Sequence, residues 1–168
     1  MAARKTSIQS SDNGCLSSKD TIQESLDRAT EICSKRGVRL TPSRREILEL
    51  LLRRNRPTGA YELIDDLSNK SGRPIGPPTV YRALDFLKSQ GLVSKVESQN
   101  AYIPCAHPDH DHDCIFFICA KCGTSFELED PGIERRLAEE ARQLQFSVTS
   151  RMIEVQGVCA DCVVPNNG

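Results

Sequence analysis

The residues best suited to chemistry crowd into one short run. "CAHPDHDHDC", Cys105 to Cys114, contains every histidine of the chain, His107, His110 and His112, with an aspartate beside each of the last two and a thiol at either end. Its mixed nitrogen, oxygen and sulfur donors suit Zn²⁺ and also admit Fe²⁺, Mn²⁺ or Co²⁺. The run has no hydrophobic period that would place it in a core, so its bland alternative is a solvated polar loop. Two further motifs follow, Cys119-x-x-Cys122 in "CAKCG" and Cys159-x-x-Cys162 in "CADC". A two-residue gap lets both thiolates of a pair meet one ion, so the two pairs together describe a closed, tetrahedral four-cysteine zinc site. A thioredoxin-like redox pair would instead sit at the head of a helix in an α/β fold, whereas each of these pairs ends a strand-like segment. Four protein ligands leave no position for a substrate, which points to folding stability rather than catalysis.

These groups need elements to hold them. Asp20 to about Arg36 has a helical period with Ile22, Leu26, Ala29, Ile32 and Cys33 on one face, closed by Gly37. In "LTPSRREILELLLRR", Thr41 is an expected N-cap, Pro42 stands at the first helical position, and Ile47, Leu48, Leu51 and Leu52 form the buried stripe. A third helix is expected from Ala60 to about Asn69, ended by "SGRPIGPP". A fourth begins near Thr79 with Val80, Leu84 and Leu87 inward and Gly91 beyond its end. "LVSKVES" and "AYIP" alternate around "QN" as a hairpin. Short helices ending in a β-hairpin describe a winged helix-turn-helix, whose last helix would enter the major groove of DNA.

The remainder reads as an α+β unit: a strand Ile115 to Cys119, a second strand "TSFELED", an amphipathic helix from Ile133 to about Gln145, and a third strand "SVTSRMIEVQGVC". About 50 residues make a marginal core, so this unit should need a metal staple, a partner subunit, or both.

Charge divides the chain at the same place. Residues 1–96 hold 17 Lys and Arg against 11 Asp and Glu, a net of +6. Residues 97–168 hold 5 against 12, a net of −7, together with all three histidines and six of the eight cysteines. A basic half suits a polyanion, and an acidic, thiol-rich half suits metal and protein contacts. No apolar run approaches the roughly 18 residues of a membrane span, and the start "MAARKTSIQSSDNG" lacks the apolar segment of a secretory signal, so the expectation is a cytoplasmic, membrane-free protein. The expected division is a disordered extension over 1–19, a winged-helix DNA-binding domain over 20–104, a metal-binding loop over 105–114, an α+β unit over 115–162 and a flexible tail over 163–168.

"GVRLTPSRREILELL", "YELIDDL", "PPTVYRALDFLKSQGLVSKVES" and "FICAKCG…VCADC" together resemble the ferric uptake regulator family of dimeric, metal-sensing transcription factors, over about Asp20 to Cys162. "VESQNAY" with Cys105 looks most like the family's zinc-sensing branch. The resemblance implies an α+β fold, with an N-terminal winged helix-turn-helix followed by a small α/β domain that dimerises through its sheet and carries the four-cysteine zinc site. It thereby implies that the loop over 105–114 is a hinge and the α+β unit over 115–162 a dimerisation domain. It implies a homodimer on double-stranded DNA at an AT-rich inverted repeat, with interdomain metal setting the spacing of the two reading heads. Tyr81 and Arg82 match the recognition helix, Tyr61 matches a tyrosine on the preceding helix, and Arg39 and Arg44 match phosphate contacts. Tyr81 could also pack in part, and the arginines could be solvated surface. Cys105, His112 and Glu127 match three positions of the regulatory zinc site. Many relatives place a fourth ligand, histidine, where this chain has Ser94; neutral serine is a poor zinc ligand, so the fourth donor is His110 or His107, an acid such as Asp109 or Asp111, or water. One structural and one regulatory Zn²⁺ per subunit are expected.

The function implied is zinc-responsive repression of zinc-uptake genes, without enzymatic activity. An iron- or peroxide-sensing sibling is the alternative, against which Cys105 argues because thiolate favours zinc over harder Fe²⁺. A zinc hydrolase built on His110, His112 and Glu127 is a further alternative, but no H-E-x-x-H or deaminase-type "PCxxC" is present, and a DNA-reading half would be idle in it.

Overall fold

The computed structural model describes residues 19–54, 56–105, 108, 114–128, 130–149 and 151–163, with only the backbone of 19–21 and 114. The expected disorder of 1–19 and flexibility of the tail concern residues that lie almost wholly outside this set.

Four helices come first: α1 (Lys19–Lys35), α2 (Pro42–Arg54), α3 (Ala60–Ser71) and α4 (Pro77–Ser89). Their apolar stripes fall where the period places them. Leu26, Ala29, Ile32 and Cys33 of α1 meet Ile47, Leu48, Leu51 and Leu52 of α2 and Val80, Leu84 and Leu87 of α4 in one core. Each leucine, isoleucine or valine withdrawn from water there contributes roughly 1.5–3 kcal/mol, and it is this packing more than helix propensity that stabilises the elements. Gly37 closes α1 at φ 69°, a left-handed turn that a side chain would strain.

Several expectations are corrected by the structure. Helix α4 begins at Pro77 rather than near Thr79, because proline in the first turn forfeits only an N–H that has no helical partner. A two-residue strand, β1 (Thr58–Gly59), adds to the expected elements; it pairs with the wing, where Thr58 lies opposite Tyr102.

The wing is β2 (Val93–Val96) and β3 (Ala101–Pro104), antiparallel, joined by a short 3-10 turn over Glu97–Gln99 and by Asn100 in the left-handed region. A second sheet follows in the order β5-β4-β6. Strand β4 (Cys114–Cys119) is central, antiparallel to β5 (Ser125–Leu128) and parallel to β6 (Met152–Gly157). Helix α5 (Pro131–Gln143) is capped by the Asp130 carboxylate, which accepts the Gly132 and Ile133 N–H groups. The helix stops two residues short of the expected Gln145, and β6 starts at Met152 instead of extending back to Ser147.

The faces of the second sheet differ. Phe116 and Ile118 are buried with Val96 and Ile103 of the wing. Phe117, Phe126, Leu128 and Val155 point the other way and stay exposed. No residue of α5 is buried. No helix among the described residues is long and apolar enough to cross a membrane.

Candidate metal centres and nucleic-acid interface

Strands β4 and β6 run parallel and in register, with Cys119 opposite Gly157, so both CxxC turns leave the sheet at the same end. The first turns back at once, where the Gly123 N–H donates to the Cys119 carbonyl at 2.9 Å, and the second does so where the Cys162 N–H donates to the Cys159 carbonyl. All four Sγ atoms lie within 4.8 Å of one another, and Cys122 and Cys159 approach to 3.6 Å. Tetrahedral Zn–S bonds of about 2.3 Å place sulfurs about 3.8 Å apart, so the cage fits Zn²⁺.

Its electrostatics fit as well. The Cys159 and Cys122 backbone N–H groups pull the Cys119 thiol down to about 6, and Thr124 lowers Cys122. Burial raises Cys159, and the neighbouring Cys122 and Cys159 sulfurs push Cys162 up to about 12. Four thiolates this close repel one another, so protons remain on some of them until a dication takes their place.

The second group is split between the two sheets. The Cys105 N–H donates to the Leu92 carbonyl at 3.1 Å, prolonging the wing hairpin by one step. From there its Sγ lies 4.0 Å from Oε1 of Glu127 on β5. Ser94 pairs with Ile103, so strand alternation gives it the same wing face as Cys105. Two expected donors are thus brought together. His107, His110, His112, Asp109 and Asp111 lie outside the described residues. Arg36, which the sequence pattern does not single out, donates to the Gln90 carbonyl at the end of α4 at 2.5 Å and to the Pro108 carbonyl at 3.5 Å. These partners are far from Arg36 along the chain, so no local pattern reveals them.

On the helical side, Tyr61 is 70% exposed on the first turn of α3, and Arg82 and Arg39 are exposed. Tyr81 is half-buried against the core. Arg44 stacks on the Phe86 ring at 3.5 Å and donates to the Arg39 carbonyl at 2.8 Å, so it joins α2 to α4 as well as standing near the surface.

The profile of the ferric uptake regulator family matches residues 35–156. The chain belongs to that family. It is 43% identical over 146 residues to the zinc uptake regulation protein of Escherichia coli (strain K12), covering 86% of this chain and 85% of the relative. A solved zinc uptake regulator complexed with zinc and DNA superposes with a TM-score of 0.81 at 43% identity, covering 85% of this chain and 95% of that one. The regulator XcZur offers two states at nearly equal identity. Its holo form superposes at 0.74 (41% identity, 82% of this chain and 95% of that one), and its apo form at 0.50 (40%, 86% and 99%). The chain thus superposes better on the holo form than on the apo form.

Family membership also gives the second sheet's exposed face a context. Phe117, Phe126, Val155 and Val158 line an open groove of about 320 Å³ beside the four-cysteine cage. Apolar area of this kind on a small unit belongs against another surface.

Proposed function

We propose that this chain is a zinc-responsive, DNA-binding transcriptional regulator, a homodimer that represses zinc-uptake genes when zinc-loaded. The observation that carries the reading is the approach of Cys105, at the exit of the wing, to Glu127 on the second sheet. A ligand set divided in this way makes the position of a DNA-reading unit depend on metal supply. The winged-helix unit is residues 20–104, the hinge and metal loop 105–114, and the dimerisation unit 115–162.

Cys119, Cys122, Cys159 and Cys162 hold the structural ion. Cys105, His112 and Glu127 hold the regulatory one, with His110 or His107 as the fourth donor. When bound, Zn²⁺ supplies a charge that draws thiolate, imidazole and carboxylate together without redox chemistry. Moving a closed form from about 1% to about 99% of the population takes roughly 5.5 kcal/mol of differential binding, within reach of such a ligand set. Arg82 and Tyr61 face an AT-rich inverted repeat, Arg39 and Arg44 approach phosphates, and Tyr81 supports the helix that carries Arg82. Dimerisation through the open sheet face presents two such heads with two-fold symmetry, which an inverted repeat mirrors.

The deciding experiment measures binding to AT-rich inverted-repeat DNA by fluorescence anisotropy, with the structural zinc in place and buffered Zn²⁺, Fe²⁺ or Mn²⁺ added. Tightening with Zn²⁺ at the lowest free metal supports the reading. Tightening first with Fe²⁺ would make the chain an iron sensor.

A further inference from the structure

Glu127 has a counterpart on the other side of the same sheet. Phe116 lies opposite Glu127 on β5 and opposite Glu154 on β6, so the three form one row across the sheet. Phe116 is fully buried and packs with Ile118 against Val96 and Ile103, so this row faces the wing. Glu127 meets the base of the wing at Cys105. Glu154 meets its tip: one carboxylate oxygen accepts the Glu97 N–H at 2.6 Å and the other accepts the Ser98 N–H at 3.2 Å. These two residues open the 3-10 turn after β2, where backbone N–H groups lack partners within the turn.

We infer that Glu154 is a positioning residue that fixes the wing tip to the second sheet without metal, so that ligation at the wing base selects one orientation of the DNA-reading unit. A single attachment at Cys105 leaves the wing free to swivel about it. A second attachment at the tip, with Phe116 wedged between the two, removes that freedom. The carboxylate form suits the task because it can accept from two adjacent N–H groups at once, each bond assisted by charge. Burial pushes the Glu154 carboxyl up, yet the bonds from Ser98 and Glu97 outweigh it and hold the group below the ordinary carboxylate range, ionised at neutral pH.

The inference rests on the reading that zinc-dependent closure tightens DNA binding, and its test separates the two. In the full-length protein with structural zinc bound, hydrogen exchange at the Glu97 and Ser98 amides is compared between wild type, Glu154→Ala and Glu154→Gln. Operator binding is then titrated with buffered zinc. Glu154→Ala should speed exchange of those two amides about tenfold and raise the zinc needed for half-maximal DNA binding by about the same factor. The zinc content of the four-cysteine site should not change. Glu154→Gln, with one oxygen left, should fall between. Unchanged exchange in the alanine variant would remove the contact, and faster exchange with an unaltered zinc response would remove the positioning role. A wild-type chain that ignored zinc would overturn the functional reading instead, while the exchange data would still decide whether Glu154 holds the wing tip.

Discussion

The two halves of the chain bury their apolar residues by different means. Residues of α1, α2, α3, α4 and the wing close on one another, and Leu51, Leu63, Leu84 and Leu87 are fully buried with no partner beyond the half itself. In the second half, Phe116 and Ile118 on one face of the sheet are buried together with Val96 and Ile103 borrowed from the wing. On the other face Ile115 is buried, but Phe117, Phe126, Leu128 and Val155 stay exposed, and no residue of α5 is itself buried. Leu144, just past the end of α5, is 76% exposed. Hydrophobic period therefore places the helices of the first half. The second depends on groups outside its own core, a cage of thiols and a second surface.

Removing a cage ligand is the strongest way to break this contrast. Cys119→Ser or Cys159→Ser should abolish the structural zinc and unfold or monomerise the second half, because metal binding there supplies folding energy, of order 10–16 kcal/mol for structural zinc in small domains. Hydrogen exchange should show amides of β4 and β6 losing protection while those of α2 and α4 keep theirs. A folded, dimeric, zinc-free variant would show that the second half is self-sufficient after all.

The mirror experiment strikes the first half. Leu84→Ala removes a fully buried side chain from α4 and should cost about 2–5 kcal/mol, read as a lower urea midpoint of the helical signal with no dependence on zinc. The paired change Phe117→Asp and Phe126→Asp, on the open sheet face, should leave that midpoint in place and convert dimer to monomer in sedimentation. Retention of the dimer would assign the exposed face to something other than self-association.

How much of this is legible in the sequence follows the same division. The stripes of α1, α2 and α4 and the CxxC pairs are readable, because a helical face and a two-residue ligand gap are both local facts of the chain. Strand β1 is not, since two residues become a strand only through pairing with Tyr102 and Ala101 far along the chain. The parallel register of β4 and β6 that sets both knuckles at one end, and the reach of Glu154 to Glu97, are likewise long-range. Pro77 and Pro78 mislead because the same residue type that ends a helix also opens one.

At the DNA surface the expected effects are smaller. Arg82→Ala should weaken operator binding by about 1–3 kcal/mol while leaving random-sequence DNA less affected, if its guanidinium reads a base edge. Equal losses on both DNAs, measured by anisotropy at fixed salt, would demote it to a phosphate contact.

The smallest effect tests whether the first half carries any electrostatic dependence comparable to that of the cage. Glu62 accepts the Gly59 N–H at 3.1 Å, Arg54 at 2.7 Å and Arg56 at 2.6 Å, and Arg54 also holds Asp66 at 2.7 Å, so α3 is tied to the end of α2. Burial pushes the Glu62 carboxyl up, but Arg56, the Gly59 N–H and Arg54 together hold it below its ordinary value of 4.5. A folded-state value below the unfolded one means stability that is present above about pH 4.5 and lost as pH falls through the lowered value. Solvent reaches these side chains, so screening keeps the contribution below about 1 kcal/mol. Glu62→Gln should accordingly lower the urea midpoint of the helical half slightly at pH 7, and the difference from wild type should shrink as pH falls below the ordinary carboxylate value. The second half should respond at higher pH, because its thiolates exchange metal for protons as the medium is acidified. If the helical half instead lost its structure together with the cage at the same pH, the independence of the two halves would not hold.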